Sequence, residues 1–257
     1  MVIEGLDGSG KTLQIAMLSK FLRAAGRELI TFDFPSYEKT LFGKLCGQYL
    51  SGKFGEMEEL EPKAVALLYA GDRLEQRLEL MAAVNNYWQG DERPGRVVLA
   101  NRYVSSNIAY QTARHDDQAR ARELETFIKR LEYESFGLPH PDLTVFLDIP
   151  VALSQRLVAA KATRSYLTNA QATPLTNDAP PPTHDMHERN AAFLERVRDR
   201  YNRMANIDNT VTVLPVTNSQ GELYSPESIQ SALRVLLFSK GIINNDEFIQ
   251  GGLTDGD

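Results

Sequence analysis

The stretch G-L-D-G-S-G-K-T, residues 5–12, carries the strongest signal in this sequence. It fits the phosphate-loop pattern G-x-x-x-x-G-K-[ST], whose glycines let successive backbone N–H groups point at phosphate oxygens. Lys11 adds a positive charge for the β- and γ-phosphates, and the Thr12 hydroxyl can ligate Mg²⁺. An apolar run precedes the stretch and a helical pattern follows it, as the motif requires. The residues predicted to bind nucleotide phosphates are Gly5, Gly8, Ser9, Gly10, Lys11 and Thr12.

Strands and helices are predicted to alternate around this loop. Short apolar runs predict strands at residues 1–5, 29–34, 97–100, 143–147 and 211–216, the first of them clipped. Helical periodicity predicts helices at residues 12–25, 41–54, 61–87, 123–136, 150–162 and 226–238. Such alternation implies a parallel sheet with right-handed crossovers. We therefore expect an α/β protein of the P-loop NTPase type, with three α/β/α layers, a five-stranded parallel sheet and a helical lid.

Two stretches of the chain lack a regular pattern. Residues 168–183 are polar and end in the three prolines 180–182, which is typical of a lid, and we place that lid at about 156–188. Residues 241–257 are rich in glycine, asparagine and acidic residues, which predicts a flexible C-terminal tail. We expect residues 1–240, including the lid, to form a single domain.

The composition excludes several classes of protein. The chain has 257 residues, 28 Lys+Arg against 34 Asp+Glu and a net charge of −6, with 42% apolar and 24% charged residues. That is a globular composition, and its acidic balance argues against non-specific binding to nucleic acid. No apolar run reaches the ~18 residues that span a bilayer. The lone cysteine, Cys46, and the absence of a visible secretory leader favour a cytoplasmic protein.

Phosphate loops serve nucleotide switches, mechanical or regulatory ATPases, and small phosphotransferases. A small-molecule kinase also needs a pocket that holds the acceptor in line with the γ-phosphate, with cations for the crowded anions and a flat side chain for a base. Segments that supply such residues are F-P-S-Y (34–37), L-L-Y-A-G-D-R (67–73), R-Y-V-S-S-N-I-A-Y-Q (102–111), and G-L-P-H-P-D-L (137–143) running into F-L-D (146–148). With the phosphate loop, and in this order over about residues 2–216, they resemble the thymidylate kinase family, P-loop enzymes that phosphorylate dTMP with ATP.

The resemblance implies roles for the residues of the acceptor site. Tyr69 stands where the family places an aromatic ring that stacks on thymine, and Arg73, one helical turn later, where an arginine reaches the base edge or the acceptor phosphate. Arg102 matches the arginine that grips the dTMP phosphate. Asn107 matches a residue that contacts the base edge through its amide. A surface position for Arg73, core packing for Tyr69 and helix capping or packing for Asn107 remain alternatives.

Further matches complete the predicted site for dTMP. Tyr110 corresponds to the tyrosine that crowds out a 2′-hydroxyl, and Gln111 completes that wall, with packing as its alternative. Phe34 precedes Tyr37, whose hydroxyl touches the acceptor phosphate in one branch of the family. Other branches carry an arginine in this loop, and here Lys39 could share its charge, with a solvated surface lysine as the alternative.

The catalytic assignment rests on the same resemblance. Asp7 matches a carboxylate near the transferred group, where it positions the acceptor or the loop rather than acting as a general base. The phosphate loop lacks the arginine found in one branch, so the cation that meets the charge of the transferring group must come from elsewhere. We assign that role to Arg164, just before the irregular part of the lid. The predicted catalytic residues are Lys11, Asp7, Arg102 and Arg164.

A polar cluster follows the lid. His184, Asp185, His187 and Glu188 could be read as zinc ligands. A helix start capped by Thr183 or Asp185 is better supported, because no second ligand group stands out elsewhere in the sequence.

The position directly before Arg102 departs from the family, which has an acid there that helps to hold Mg²⁺. Asn101 keeps an oxygen but loses the charge, so we expect weaker Mg²⁺ affinity, for which Asp7 could compensate. Two alternatives therefore stay open: a kinase of the same fold for another nucleoside monophosphate, and a catalytically idle nucleotide-binding protein. The residues whose joint presence argues against the idle alternative are Lys11, Thr12, Arg73 and Arg102.

The resemblance also has implications for cofactors and partners. It implies Mg²⁺ bound with ATP and held by Thr12, with Asn101 as a further candidate ligand, and no tightly bound cofactor. It implies small-molecule substrates, no nucleic acid or membrane partner, and a homodimer built from helix faces.

Overall fold

A parallel sheet of five strands lies at the centre of the computed structural model, which describes residues 1–85, 95–169 and 190–250, with side chains at 1–85, 95–160 and 190–248. The strands are β1 (Val2–Gly5), β2 (Leu29–Asp33), β3 (Val97–Asn101), β4 (Thr144–Asp148) and β5 (Val211–Pro215). Their order across the sheet is β2-β3-β1-β4-β5, and every pairing is parallel. The α/β fold and the five-stranded parallel sheet expected from the sequence are thereby confirmed.

Helices pack against the sheet because its central strands are mostly apolar. Ile3, Leu99 and Val145 are all fully buried. The helices are α1 (Lys11–Ala24), α2 (Leu41–Leu50), α3 (Pro62–Glu75), α4 (Arg77–Asn85), α5 (Val104–Thr112), α6 (Gln118–Lys129), α7 (Val151–Asn169), α8 (Ala191–Ile207), α9 (Pro226–Ser239) and α10 (Asn245–Gln250). Helix α1 packs on α9, whereas α5 contacts α3, α6 and α8.

Several helix boundaries differ from the predicted ones. The helix expected at 61–87 is two helices, α3 and α4, which meet at Gln76. The helix expected at 123–136 begins earlier, as α6, and continues as a π-helical turn at Arg130–Ser135. Helix α5 was not predicted. Its sequence is buried along almost its whole length, so it lacks the alternation of apolar and polar faces that marks a surface helix.

The lid falls largely outside the described residues. Helix α7 covers its start, and α8 begins after it at Ala191. Asn190 caps α8, since its side chain accepts a 2.9 Å hydrogen bond from the N–H of Phe193. Thr183 and Asp185, the residues expected to cap a helix start, lie outside the described ranges, and that expectation stays a prediction.

The sequence predicts a flexible tail from residue 241, but the described residues after that point do not form one. Helix α10 packs back on α9, with the rings of Phe238 and Phe248 5.3 Å apart. Ile243 is 2% exposed. Glu247 accepts hydrogen bonds of 2.5 and 2.9 Å from Arg27. An apolar contact and a bidentate ion pair therefore hold these residues against the rest of the protein, although their glycine and asparagine content predicts a tail.

The carboxyl edge of the sheet gathers the residues of interest. The phosphate loop follows β1, the segment 34–37 follows β2, and Arg102 follows β3. Strand ends of a parallel sheet meet at one edge, which is where open α/β sheets bind ligands. The register places Asp33 opposite Asn101 across β2 and β3.

Candidate active site

The phosphate loop presents backbone N–H groups at the start of α1. Gly10 has a φ of 89°, in the left-handed region that glycine adopts readily, and it opens α1 without a side-chain cap. The first N–H groups of α1 therefore remain available to an anion. Gly8 also has a positive φ, 79°, and a Cβ there would lie 3.0 Å from the carbonyl oxygen of Ser154. The Ser154 hydroxyl donates a 2.6 Å hydrogen bond to the Asp7 carbonyl oxygen, which anchors the loop to α7.

Lys11 folds back over its own loop. Its Nζ donates to the carbonyl oxygens of Gly5 and Leu6, each at 3.0 Å, and lies 3.4 Å from Asp7 Oδ1. Burial and the positive charge of Arg102 lower the pKa of Lys11 to about 8, against the opposing effect of Asp7. Lys11 is thus positioned to exchange backbone carbonyls for phosphate oxygens, which would raise its pKa.

Asp7 and Arg102 connect the phosphate loop to the loop after β3. Nη2 of Arg102 lies 2.8 Å from Oδ1 of Asp7. Burial raises the pKa of Asp7, but the charges of Arg102 and Lys11 outweigh it and hold that pKa well below its usual range. Arg102 has a φ of 61°, a conformation that is rare and strained for a non-glycine residue. A strained backbone that aims a guanidinium at the phosphate loop fits a functional residue.

Glu4 holds Arg102 and the start of α5 in place. Its buried carboxylate accepts hydrogen bonds from the backbone N–H of Tyr103 at 2.9 Å and of Ser106 at 3.1 Å. It also accepts from the Ser106 hydroxyl at 2.5 Å and from the Tyr201 hydroxyl at 2.9 Å. These contacts replace the N-cap of α5, because the side chain of its cap residue, Tyr103, accepts no capping hydrogen bond.

A cavity of about 220 Å³ opens beside the phosphate loop and brings together all nine residues predicted to bind dTMP. They are Asp7, Phe34, Tyr37, Tyr69, Arg73, Arg102, Asn107, Tyr110 and Gln111. Pro35, Leu50 and Ser106 also line it and were not predicted. Residues from the loops after three strands and from α2, α3 and α5 therefore meet in one place.

The segment after β2 is fastened to α3. Asp72 accepts hydrogen bonds from the backbone N–H of Ser36, at 3.1 Å, and from the Thr40 hydroxyl. Gln76 donates to the Ser36 hydroxyl at 2.9 Å. Phe34 is thereby held at the cavity wall, where its ring lies 5.8 Å from that of Tyr103. Lys39 does not line this cavity: it is exposed, pairs with Glu79 and lines a separate groove beside β2, which agrees with the alternative of a surface lysine.

Aromatic rings form the walls of the cavity. The Tyr69 ring packs edge-on against Tyr49, with centroids 6.3 Å apart. The Tyr110 ring packs against Phe193 at 6.2 Å, and the Arg102 guanidinium lies 5.4 Å from its centroid. The flat rings of Tyr69 and Tyr110 therefore flank the cavity, which the charged guanidinium of Arg102 also lines.

Polar atoms without partners gather at the end of the cavity on α3 and α5. Among the described residues, Asn107 Oδ1 and Gln111 Nε2 are buried and have no hydrogen-bond partner. Arg73 is 2% exposed and gives Nε and Nη2 to Glu132, which leaves Nη1 without an acceptor in the described ranges. Buried polar groups normally find partners, so this set indicates a ligand with matching donors and acceptors.

Asn101 lies at the end of β3, outside the cavity wall. Its Nδ2 donates a 2.9 Å hydrogen bond to Asp33, and its Oδ1 is buried with no partner among the described residues. Asp7, which the sequence suggested as compensation for the missing acid, is already paired with two cations. Asp33 is the carboxylate next to Asn101. An unpartnered amide oxygen beside a carboxylate is a donor set that suits Mg²⁺.

Some predicted residues lie outside the described side chains. Arg164 falls in the last part of α7, and its catalytic role stays a prediction. The possible zinc ligands His184, Asp185, His187 and Glu188 also lie outside. Within the described ranges, His, Cys, Asp and Glu side chains form no cluster of three or more that could hold a metal ion.

Sequence patterns did not indicate Glu132, which lies on the π-helical turn and is fully buried. A signal for it exists: Leu124 and Ile128 are buried on α6, and Glu132 follows Ile128 at the next helical interval. An acidic residue in phase with an apolar stripe needs a buried partner. Arg73 is that partner.

A parallel sheet that delivers a phosphate loop, with an arginine-lined cavity beside the loop, defines a P-loop kinase of a nucleoside monophosphate. Comparison with known proteins narrows that class. The family model described as thymidylate kinase matches residues 3–225. The chain therefore belongs to the thymidylate kinase family, as the sequence motifs predict.

Individual relatives agree with this assignment. Thymidylate kinase of Mycobacterium tuberculosis is 31% identical over 205 residues, which cover 80% of this chain and 85% of that protein. A probable thymidylate kinase of Thermococcus gammatolerans is 28% identical over 228 residues, covering 87% and 91%. The solved thymidylate kinase of Candida albicans superposes with a TM-score of 0.62 over 95% of this chain and 94% of that one, at 23% identity, which supports the fold. Every helix in the described ranges is too short or too polar to cross a membrane.

Proposed function

We propose that this chain transfers the γ-phosphoryl group of ATP to dTMP, giving ADP and dTDP. The observation that carries the proposal is the junction between the phosphate loop and the cavity: Asp7 belongs to both, and Arg102 reaches it from the acceptor side at 2.8 Å. A donor phosphate on the loop and an acceptor phosphate at Arg102 would then be adjacent, as in-line transfer requires.

The donor side uses the loop and Lys11. The N–H groups at the start of α1 bind the β- and γ-phosphates, and Lys11 leaves the carbonyls of Gly5 and Leu6 to bind the same oxygens. Thr12 and the Asn101 oxygen would hold Mg²⁺, which neutralises charge on those phosphates.

The acceptor side uses Arg102, and Asp7 keeps it oriented. An anionic phosphate of dTMP competes with Asp7 for the Arg102 guanidinium, whose fork of donors suits a phosphate. An oxygen of that phosphate attacks the γ-phosphorus, and the bond to the bridging oxygen of ADP breaks. Because the acceptor is already an anion, Asp7 need not remove a proton, and it positions Arg102 and Lys11 instead.

The base is selected at the other end of the cavity. Thymine offers a hydrogen-bond donor at N3 between two carbonyl oxygens. The cavity offers one acceptor, Asn107 Oδ1, and two donors, Arg73 Nη1 and Gln111 Nε2. The number and kind of these groups match the thymine edge, with Tyr69 as the ring for stacking.

A coupled assay of ADP release tests this function against its alternatives. With ATP and Mg²⁺ present, dTMP, dCMP, dGMP and UMP are supplied in turn. Release that is specific to dTMP supports the proposal. Release with another monophosphate would keep the mechanism and change the substrate, and no release despite ATP binding would favour the idle nucleotide-binding protein.

We also propose that the protein is a homodimer in the cytoplasm. Leu67, Leu74 and Leu78 are 44%, 40% and 78% exposed and follow each other at intervals of seven and four residues along α3 and α4. Leu67 and Leu74 lie two turns apart on one face of α3, Leu78 follows on α4, and all three are exposed apolar side chains that a second copy of the chain can cover. The buried, unpaired Cys46 fits a reducing compartment.

A further inference from the structure

Glu132 connects two of the residues at the base end of the cavity, Arg73 and Asn107. Its side chain accepts from Arg73 Nε at 2.5 Å and from Arg73 Nη2 at 2.7 Å. The same oxygen that meets Nη2 accepts from Asn107 Nδ2 at 2.8 Å. All three residues are buried, and Glu132 itself lies behind the cavity rather than in its wall.

These contacts fix which way the Asn107 amide faces. Its Nδ2 carries two hydrogens, and both are used, one by Glu132 and one by the carbonyl oxygen of Ala66 at 3.0 Å. Turning the amide over would set its oxygen against two acceptors, one of them charged. Asn107 can therefore present only its acceptor, Oδ1, which is buried and has no partner among the described residues.

We propose that Glu132 is a positioning residue that sets the base selectivity of this kinase by locking the Asn107 amide and the Arg73 guanidinium. The inference rests on the proposed function, in which Asn107 and Arg73 meet the base. An acceptor held at Asn107 suits thymine, which donates from N3. Cytosine has an acceptor at N3, which would face the acceptor of Asn107. It has an amino donor in place of the O4 acceptor, which would face the donors of Arg73.

The variant Glu132→Gln tests this lock. Its amide keeps the size of the side chain, but its NH₂ group faces either Arg73 Nε or both Arg73 Nη2 and Asn107 Nδ2, so the Arg73 guanidinium must reorient in both cases and Asn107 in the second. In the wild type, we expect kcat/KM to favour dTMP over dCMP by about 100-fold or more. In Glu132→Gln, we expect that ratio to fall by about 10-fold. A general loss of folded protein lowers the measured kcat/KM for both substrates by the same factor and leaves their ratio unchanged.

Glu247→Gln is the matched control. Glu247 also accepts a bidentate pair of hydrogen bonds from an arginine, Arg27, and is 4% exposed. Arg27 precedes β2 and so lies at the opposite edge of the sheet from the cavity. Its variant should lose stability but keep the wild-type preference for dTMP.

A second variant covers the case in which Glu132→Gln does not fold. Glu132→Asp keeps the charge beside Arg73 and withdraws the oxygens by one methylene, so it should lower the dTMP preference by a smaller factor. Wild-type selectivity in a folded Glu132→Gln, or in Glu132→Asp if that alone folds, would overturn the inference. A wild type that does not favour dTMP would instead overturn the proposed function, before either variant is measured.

Discussion

The side-chain amide of Asn101 donates a 2.9 Å hydrogen bond to Oδ1 of Asp33 and so joins the ends of β3 and β2. The two residues are register partners in the sheet. The negative charge expected at position 101 is therefore found on the neighbouring strand, one hydrogen bond away. Asn101 keeps its own oxygen, which has no partner among the described residues.

The variant Asn101→Asp should bind Mg²⁺ more tightly and be less stable without it. It would place a second carboxylate against Asp33, and two such groups cannot both ionise cheaply without a cation between them. The folded variant then retains a proton that the unfolded chain releases, so its stability falls as pH rises above about 4. We expect a loss of about 1–2 kcal/mol at pH 8, less at pH 5, and recovery with Mg²⁺. Thermal unfolding at both pH values, with and without Mg²⁺, measures this.

A charge-swapped variant separates the two effects. Asp33→Asn with Asn101→Asp restores one carboxylate and one amide, with the charge now on β3. It should regain the lost stability while it keeps the lower Mg²⁺ requirement in the kinase assay. If neither variant changes the Mg²⁺ requirement, position 101 does not contact the metal.

ATP binding should be accompanied by proton uptake at Lys11 above pH 8. The free protein holds the pKa of Lys11 at about 8, because of burial and the Arg102 charge, whereas bound phosphates favour the charged form. At pH 8.5 roughly half a proton or more should be taken up, and at pH 6.5 none by this group. Calorimetric titrations in buffers of different ionisation enthalpy measure the number of protons. Lys11→Met should lose the uptake at pH 8.5, and an unchanged value would assign it to another group.

Much of the fold follows from local sequence, and the exceptions have physical causes. Residues 5–12, with an apolar strand before and a helix after, fix the phosphate loop, and five apolar runs give the five strands. Helix α5 escaped detection because it is buried on most sides. Helix α10 escaped because Arg27, more than two hundred residues earlier in the chain, provides its main polar contact. Contacts between residues so distant in the chain leave no local pattern.

The residues of the candidate site also fall into those that the sequence predicts and those that it does not. Residues that would touch a substrate, such as Tyr69 and Arg102, lie in recognisable motifs, and the structure brings them into one cavity. Residues that support them, such as Glu4 and Glu132, act through buried hydrogen bonds that only the fold reveals. Lys39 is close to Tyr37 in sequence, yet it pairs with Glu79 and lines a separate groove, as expected for a surface lysine.

Arg102→Ala should remove most of the activity toward dTMP while ATP binding persists. The Arg102 guanidinium lies 2.8 Å from Asp7 in the phosphate loop, and the proposed transfer needs it at the acceptor phosphate. Loss of such a charged contact should lower kcat/KM for dTMP by about 10²–10³-fold. Arg198→Ala is the control, because Arg198 pairs with Asp148 at the end of β4 and does not line the cavity. Equal losses in the two variants would mean that Arg102 acts only through stability.

Leu78→Glu should convert the protein to a monomer if α3 and α4 form the dimer interface. Leu78 is 78% exposed, so a charge there costs little in the isolated chain but would be desolvated against a second copy. Sedimentation velocity at micromolar concentration should show a dimer for the wild type and a monomer for the variant, with little change in the temperature of unfolding of each subunit. Val235→Glu provides the matched control, since Val235 is 54% exposed on α9, which packs on α1 rather than on α3. A variant at Leu78 that remains dimeric would move the interface to another helix face, and a monomeric wild type would remove the dimer from the proposal.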